Sequence, residues 1–324
     1  MIKKIFSFTL ILNLLIFSCS SDSDDNSSEV WEQKSEMLTN WADNFIIPSY
    51  TTLTNNLVLL EESGNTFASS RNQQNLENLR NSFINAYLSW QYVEMFDIGL
   101  AEETYYKSKM NIYPTTVSRI ELNIQNGNTD FNNSNNYAAQ GFPALDYLLY
   151  GIENSDELIL SKFNNEPQYL TYLSNVINQM LQNTYPIVED WQNYRNPFIG
   201  SVRNTATSSV NKMTNDFIYY YEKGFRANKF GIPAGVFSGG ALPEKVEAFY
   251  NQNISKALAL EGFQAIKNFY NGNGGVSLRQ YISEVSTEEY SELSTDILDQ
   301  FNIAENLING LDENFYNQIL TNNI

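Results

Sequence analysis

Apolar side chains recur at helical spacing along most of this chain of 324 residues. The clearest stripe joins five large apolar residues that lie three or four positions apart: Leu76, Leu79, Phe83, Tyr87 and Trp90. Four later segments repeat this spacing, at residues 176–181, 213–224, 258–269 and 297–311. No sustained alternation of apolar and polar residues separates these segments. The pattern predicts amphipathic helices that pack through their stripes, so we expect an all-α fold.

Breaks between the stripes suggest how the helices are grouped. Residues 231–243 are rich in glycine and proline and predict a loop. We expect the region 154–167 to divide one domain into two helical-bundle halves, at about 29–155 and 156–324. Pro186 is expected to kink or end its helix, because proline cannot donate the helical backbone hydrogen bond.

The N-terminus has the order of features found in a lipoprotein signal peptide. Lys3 and Lys4 precede a short apolar run, and a small residue stands before Cys19, the one cysteine of the chain. We interpret residues 1–18 as a cleaved signal peptide and Cys19 as a lipidated membrane anchor. The alternative is an ordinary signal peptide with an incidental cysteine. Residues 19–28 are too polar to bury a core, so we expect a flexible acidic tether. This tether resembles the export signal of bacterial surface lipoproteins, which predicts an outer-membrane lipoprotein on the periplasmic or cell-surface side.

Histidine is absent from the chain, and its absence excludes several classes of site. Ser-His-Asp catalysis, Cys-His catalysis and His-ligated zinc all need an imidazole. Any bound metal would have to use oxygen ligands, which favour calcium, magnesium, manganese or ferric iron. The chain has 19 Lys and Arg residues against 37 Asp and Glu residues, a formal charge of -18. No nucleic-acid partner is expected, because phosphate binding relies on basic side chains.

Three acidic residues fall at positions where helices face inward. Asp146 lies in an otherwise apolar run, in the first turn of a helix expected to begin at Pro143. Asp146 is either structural, held by a base such as Arg119, or part of a cleft. Glu94 continues the first stripe or simply ends its helix, and Glu261 lies among the apolar residues of a later stripe. The three acids either meet in an oxygen-ligand site within the bundle or form three separate buried ion pairs.

Five segments, in this order, resemble those of the imelysin family: "AYLSWQYVEMFDIG" at 86–99, "NIYPTTVSRIE" at 111–121, "GFPALDYLLYG" at 141–151, "KFGIPAGVFSGGALPEKVEAFYNQNIS" at 229–255 and "GFQAIKNFYNG" at 262–272. The resemblance covers nearly all of the mature chain. It implies an all-helical envelope protein with one imelysin-like domain over residues 29–324. The family is also filed with the M75 peptidases because of a G-x-H-x-x-E motif.

The matching positions of that motif are Gly141, Pro143 and Asp146. Proline therefore replaces the histidine, and aspartate replaces the glutamate. Since a proline side chain has no ligating atom, the resemblance implies a scaffold with a binding cleft rather than a metallopeptidase. A peptidase of the M75 type with a carboxylate-bound metal is the enzymatic alternative. An outer-membrane lipoprotein that binds glycans through exposed aromatic residues is a third reading.

The resemblance favours a non-enzymatic lipoprotein that binds a ligand or metal in connection with iron uptake. The cleft between the halves is predicted to be bordered by these residues: Glu94, Arg119, Gly141, Pro143, Asp146, Pro233 and Gly235. The candidates for holding iron or another oxygen-ligated cation are Glu94, Asp146 and Glu261. The expected partners are the membrane, through lipidated Cys19, and an outer-membrane iron receptor.

Overall fold

The structure, a computed structural model, describes residues 25–321, with side chains from residue 32 onward. Within this range the regular secondary structure is helical and contains no strand, which confirms the predicted all-α fold. The signal peptide, Cys19 and residues 19–24 of the predicted tether lie outside the described residues. None of the described helices is long and apolar enough to cross a bilayer.

The α-helices, in chain order, are α1 Asp25–Trp41, α2 Ile47–Ser69, α3 Gln73–Trp90, α4 Leu100–Glu103, α5 Tyr106–Met110, α6 Val117–Asn126, α7 Gly141–Asp146, α8 Asp156–Asn165, α9 Pro167–Gly200, α10 Ser209–Tyr219, α11 Ser255–Asn271, α12 Leu278–Val285, α13 Leu293–Asn309 and α14 Phe315–Thr321. Three π-helical segments follow α-helices directly: Ala42–Ile46, Tyr147–Gly151 and Tyr220–Gly231. The 3₁₀ turns are Ser134–Ala139, Pro243–Lys245, Gln252–Ile254, Gly272–Gly274 and Glu288–Tyr290. Helix α1 thus begins inside the segment 19–28.

Helices α2, α3 and α9 form the first packed group. All five residues of the first predicted stripe lie on α3 and are buried, as their spacing requires. Helix α9 continues through Pro186 and Pro197 to Gly200, so of the two expected outcomes, a kink or an end at Pro186, the end is not observed. Because α9 packs mainly against α2, the first group extends past the predicted divide at 154–167, which itself contains α8.

Helices α11, α12 and α13 form the second group, and the π-helical segment Tyr220–Gly231 packs against α11. Helix α11 ends at Gly272, which adopts a φ of +77°. Phe269 of α11 stacks on Trp41 of α1 with ring centroids 4.6 Å apart, and α11 also contacts α3. These contacts bring α11 to the end of α3, where the polar residues of the site are found.

Gly141 fixes how α7 enters the core. Its φ is +72°, and a Cβ at this position would lie 2.1 Å from the carbonyl oxygen of Met110 at the end of α5. Only glycine permits both the conformation and the close approach. Helix α7 begins at Gly141, so the predicted start at Pro143 is wrong, and Asp146 is the last residue of α7 rather than part of a first turn.

Replacing Gly141 by alanine is expected to destabilise the protein far more than the same change at Gly127. Both glycines have positive φ, so each alanine carries a backbone cost of about 1 kcal/mol. The new methyl group meets backbone atoms only at Gly141, because nothing lies within 4 Å of a Cβ at Gly127. In urea unfolding we expect losses of about 3 kcal/mol or more for Gly141→Ala and about 1 kcal/mol for Gly127→Ala. Equal losses would contradict the steric role of Gly141.

Candidate functional site

Asp146 is 2% exposed, and backbone N–H groups bind both of its carboxylate oxygens. Oδ2 accepts a hydrogen bond from the N–H of Tyr250 and Oδ1 from the N–H of Asn251, each at 2.8 Å. Arg119, the partner considered from the sequence, is not among these donors. Burial raises the pKa of Asp146 to about 7; the two N–H groups oppose this rise, and the Glu247 carboxylate adds to it. Asp146 therefore anchors the segment at residues 250–251 to α7.

Asp146 also lines a pocket of about 200 Å³, which we call the Asp146 pocket. Its other lining residues are Tyr113, Pro114, Thr115, Pro143, Glu244, Val246, Ala248, Phe249 and Tyr250. The peptide bond between Tyr113 and Pro114 is cis. Two predicted cleft residues, Pro143 and Asp146, thus lie together at one pocket wall.

Glu94 belongs to a buried group of polar side chains, which we call the Lys229 cluster. The Lys229 ammonium donates hydrogen bonds to Glu247 Oε2 and, at 2.7 Å, to Gln91 Oε1. It lies 3.8 Å from Glu94 Oε2. The Asn111 amide donates to Glu247 Oε1 at 2.8 Å and to Glu94 Oε1 at 3.2 Å. Glu94, Lys229 and Glu247 are 4%, 2% and 3% exposed. Two buried carboxylates therefore share one ammonium ion.

Four chain segments supply this cluster: Gln91 and Glu94 after α3, Asn111 at the end of α5, Lys229 in the π-helical segment Tyr220–Gly231, and Glu247 after the turn Pro243–Lys245. Helix α11 adds Gly262, where a Cβ would lie 3.3 Å from both Gln91 Oε1 and the Tyr220 hydroxyl. The absence of a side chain at Gly262 leaves room for these polar groups to approach one another.

Two polar atoms of this region have no hydrogen-bond partner among the described residues: Glu94 Oε2 and the Tyr220 hydroxyl. Burial raises the pKa of Tyr220 well above its usual value, and the carboxylates of Glu94 and Glu247 reinforce that rise. The phenol therefore keeps its proton at neutral pH. The Glu94 carboxylate also acts as an acceptor toward the Tyr220 hydroxyl, so this donor and this acceptor face each other at the edge of the cluster.

A second pocket, of about 320 Å³, borders the cluster at Asn111. We call it the Lys107 pocket, and its lining residues are Asp97, Lys107, Ser108, Asn111, Ile112, Tyr113, Tyr219, Lys223, Gly224 and Asn228. The Lys107 ammonium lies 5.1 Å from the centroid of the Tyr220 ring, which helps to hold it in place. Tyr113 lines both pockets, so the Asp146 and Lys107 pockets are neighbours.

The three acids predicted to face inward have three different sets of partners. Glu94 contacts Asn111 and Lys229, Asp146 binds backbone N–H groups, and Glu261 accepts a hydrogen bond from the Tyr92 hydroxyl at 2.5 Å. In the described part of the chain, no group of three or more His, Cys, Asp or Glu side chains is arranged to hold a metal ion. The single oxygen-ligand site considered from the sequence is therefore not formed by these three acids.

Pro233 and Gly235 lie in the loop between Lys229 and Glu247. The Pro233 carbonyl accepts a hydrogen bond from the Leu242 N–H at 2.8 Å. Gly235 has a φ of +82°, and a Cβ there would lie 2.2 Å from the carbonyl oxygen of Gly240. Neither residue lines the Asp146 or Lys107 pocket. Pro233 and Gly235 therefore shape the loop that connects Lys229 to Glu247.

Sequence reasoning missed Lys229 and Glu247, which are central to the site. Both lie within segment 229–255, which the family resemblance had singled out for its glycines and proline. The available signal was a lysine next to the aromatic residue that begins "FGIPAG", since buried lysines are nearly always paired. The partner carboxylate, 18 residues later, could not be identified without the loop geometry.

The chain matches one family model and resembles two solved structures. The family model for imelysin, Peptidase M75, matches residues 46–323. A protein described as an iron-regulated protein A precursor, from Parabacteroides distasonis, has a TM-score of 0.74 and 16% identity over 90% of this chain and 89% of that chain. An imelysin-like protein from Psychrobacter arcticum has a TM-score of 0.67 and 17% identity over 88% of this chain and 87% of that chain. No curated protein matches. At these identities, the two structures share the fold.

Asp146→Asn is expected to change how stability depends on pH. The folded-state pKa of about 7 lies above the ordinary value of 3.8, so the folded chain binds more protons than the unfolded chain between these values. The Asp146 contribution to the free energy of unfolding therefore falls as pH rises from about 4 to about 7. In urea unfolding, we expect the difference in the free energy of unfolding between wild type and variant to shrink from pH 5 to pH 7. Asparagine also leaves one backbone N–H without its carboxylate acceptor, which destabilises the variant by the same amount at every pH.

Asp156→Asn is the matched control. The hydrogen bond from Arg80 lowers the pKa of Asp156, so its stabilising contribution is present above the unfolded-state pKa and is lost only as pH falls through the lowered one. The wild-type-minus-Asp156→Asn difference should stay constant from pH 5 to pH 7. A constant difference for Asp146→Asn as well would show that Asp146 does not titrate in this range.

Proposed function

This chain belongs to the imelysin family, and from that premise we propose that it is a non-enzymatic lipoprotein of the cell envelope that binds an anionic iron chelate during iron uptake. The observation that carries this proposal is the Lys107 pocket, whose polar lining meets the Lys229 cluster at Asn111. Its volume of about 320 Å³ suits a small organic ligand.

The residues at the peptidase motif positions support a binding role. Pro143 offers no ligating atom, and both oxygens of Asp146 accept hydrogen bonds from backbone N–H groups. A metal at Asp146 would have to displace those bonds, which are costly to lose in a buried site. The motif positions therefore favour a structural role over that of a metal-dependent hydrolase.

The charges around the Lys107 pocket favour a chelate over a bare ferric ion. Lys107 and Lys223 line the pocket against one carboxylate, Asp97, whose pKa burial raises. Ammonium groups bind carboxylate-rich ligands through charge-assisted hydrogen bonds. In the neighbouring cluster, the oxygens of Glu94 and Glu247 already face the Lys229 ammonium. The pocket therefore presents two ammonium groups and one carboxylate, whereas Glu94 and Glu247 do not line it.

The connection with iron rests on relatives of this chain. The structure from Parabacteroides distasonis is described as an iron-regulated protein A precursor, and it shares the fold over most of both chains. We propose that this chain serves the same physiological context, anchored in the outer membrane through lipidated Cys19. An outer-membrane iron receptor is the proposed partner, because such a receptor would supply or accept the chelate.

Isothermal titration of the full chain with ferric citrate tests the ligand. We expect saturable binding, and a Lys107→Gln/Lys223→Gln double variant should bind at least about 10-fold more weakly because two charged contacts are lost. Lys109→Gln is the control, since Lys109 lies on the same helix but does not line the pocket. Its affinity should match that of the wild type. No heat with ferric citrate, or equal affinities for all three proteins, would remove the chelate from the proposal.

Fractionation of cells that produce the full-length Cys19→Ser variant tests the anchor. Because acyl chains on Cys19 would supply the membrane affinity, the variant should leave the membrane fraction while the wild type remains in it. Ser20→Ala keeps the cysteine and should fractionate like the wild type. A Cys19→Ser protein that stays with the membrane would contradict lipid anchoring.

A further inference from the structure

We infer that the Lys229 cluster is a cation-binding cage whose cation is the chain's own ammonium group. Lys229 Nζ is surrounded by oxygens from two carboxylates and one amide: Glu247 Oε2, Gln91 Oε1 at 2.7 Å and Glu94 Oε2 at 3.8 Å. Carboxylate and amide oxygens are also the ligands that hard metal cations take in proteins. The ammonium therefore stands where a metal ion would otherwise be bound.

Burial makes this ammonium indispensable to the cage. Glu94 and Glu247 are almost fully buried, and among the described residues Lys229 is the cationic side chain paired with them. Buried carboxylates without a counter-ion are strongly unfavourable. If the Lys229 side chain were removed, two carboxylates would face an emptied space, and a divalent cation would match their charge.

Neighbouring residues define the oxygens that a different occupant would meet. Glu94 Oε2 lies 3.8 Å from the Lys229 ammonium, beyond hydrogen-bond distance, and the Tyr220 hydroxyl faces the same carboxylate. Gly262 closes this side of the cage, because a Cβ there would lie only 3.3 Å from both Gln91 Oε1 and the Tyr220 hydroxyl; a different occupant would therefore take the place that the Lys229 side chain leaves. A metal ion bound here would draw the Glu94 carboxylate inward and add a fourth oxygen from Tyr220.

The Lys229 cage is independent of the proposed chelate. The native protein holds no metal in this cage, because Lys229 fills the position. An oxygen-rich site thus persists in a chain without histidine: a covalently attached cation replaces the exchangeable one.

The test uses the full chain carrying Lys229→Ala, with Mn²⁺ as the probe. Titration calorimetry and the electron paramagnetic resonance of bound Mn²⁺ should show one site per chain with a Kd below about 100 μM, within the range of oxygen-ligand sites. The wild type should bind at least about 100-fold more weakly at this position. Adding Glu247→Gln to Lys229→Ala should abolish the site. Lys267→Ala is the control, because its ammonium pairs with Glu305 in a partly exposed bridge, and it should gain no Mn²⁺ site.

Stability supplies a second readout. Lys229→Ala should lower the thermal midpoint by roughly 10 °C in metal-free buffer, and Mn²⁺ or propylammonium chloride should restore most of the loss. If the variant does not fold in metal-free buffer, circular dichroism should show that it folds when either cation is added. A wild type that binds Mn²⁺ as tightly as the variant would overturn the inference. A variant that binds no Mn²⁺, or that neither cation stabilises, would overturn it as well.

Discussion

Charge compensation in the interior governs the arrangement of the site. Glu94 and Glu247 lie beneath the surface of a chain that carries a formal charge of -18, and Lys229 is the cation that pairs with both. An uncompensated carboxylate at such a position would be several kcal/mol unfavourable, roughly the whole stability margin of many domains. The chain must therefore bring the end of α3, the π-helical segment Tyr220–Gly231 and the turn after Pro243–Lys245 to one point. Between Lys229 and Glu247 the chain turns sharply at Gly235, whose φ is +82°.

The features that could be predicted from the sequence are those that depend on local spacing along the chain. Apolar spacing depends on local geometry, so the burial of the α3 stripe and the all-α fold followed directly from it. Burial of Asp146 also followed, because it interrupts an apolar run, whereas inward placement of Glu94 was one of two alternatives that the spacing left open. The pairing of Glu94 with Lys229 spans 135 positions of the chain, from residue 94 to residue 229, and depends on how α11 packs against α3. Such long-range pairings cannot be read from periodicity, and neither can the start of α7, which depends on the contact between Gly141 and Met110.

Asp146 occupies the acidic position of the G-x-H-x-x-E motif, but here its carboxylate binds backbone N–H groups. Both carboxylate oxygens accept hydrogen bonds from the N–H groups of Tyr250 and Asn251, so the side chain connects α7 to the segment that follows Glu247. Gly141 is required for steric reasons at the other end of α7, independent of any ligand. A glycine and an acid at this spacing are therefore explained by packing and by backbone hydrogen bonding. The motif by itself does not demand a metal, and Pro143 between these residues is compatible with that reading.

A cage already filled by Lys229 changes what the adjoining pockets can recognise. A metal cation in the Lys107 pocket would face the ammonium groups of Lys107 and Lys223 and a single carboxylate, that of Asp97. Like charges repel at close range in a site with restricted solvent, so entry of a bare cation is disfavoured. A ligand that presents carboxylates or other anionic oxygens gains contacts with the same two lysines. Under the proposed function, iron arrives with its charge masked by a chelator, and the two lysines bind the chelator's oxygens rather than the metal.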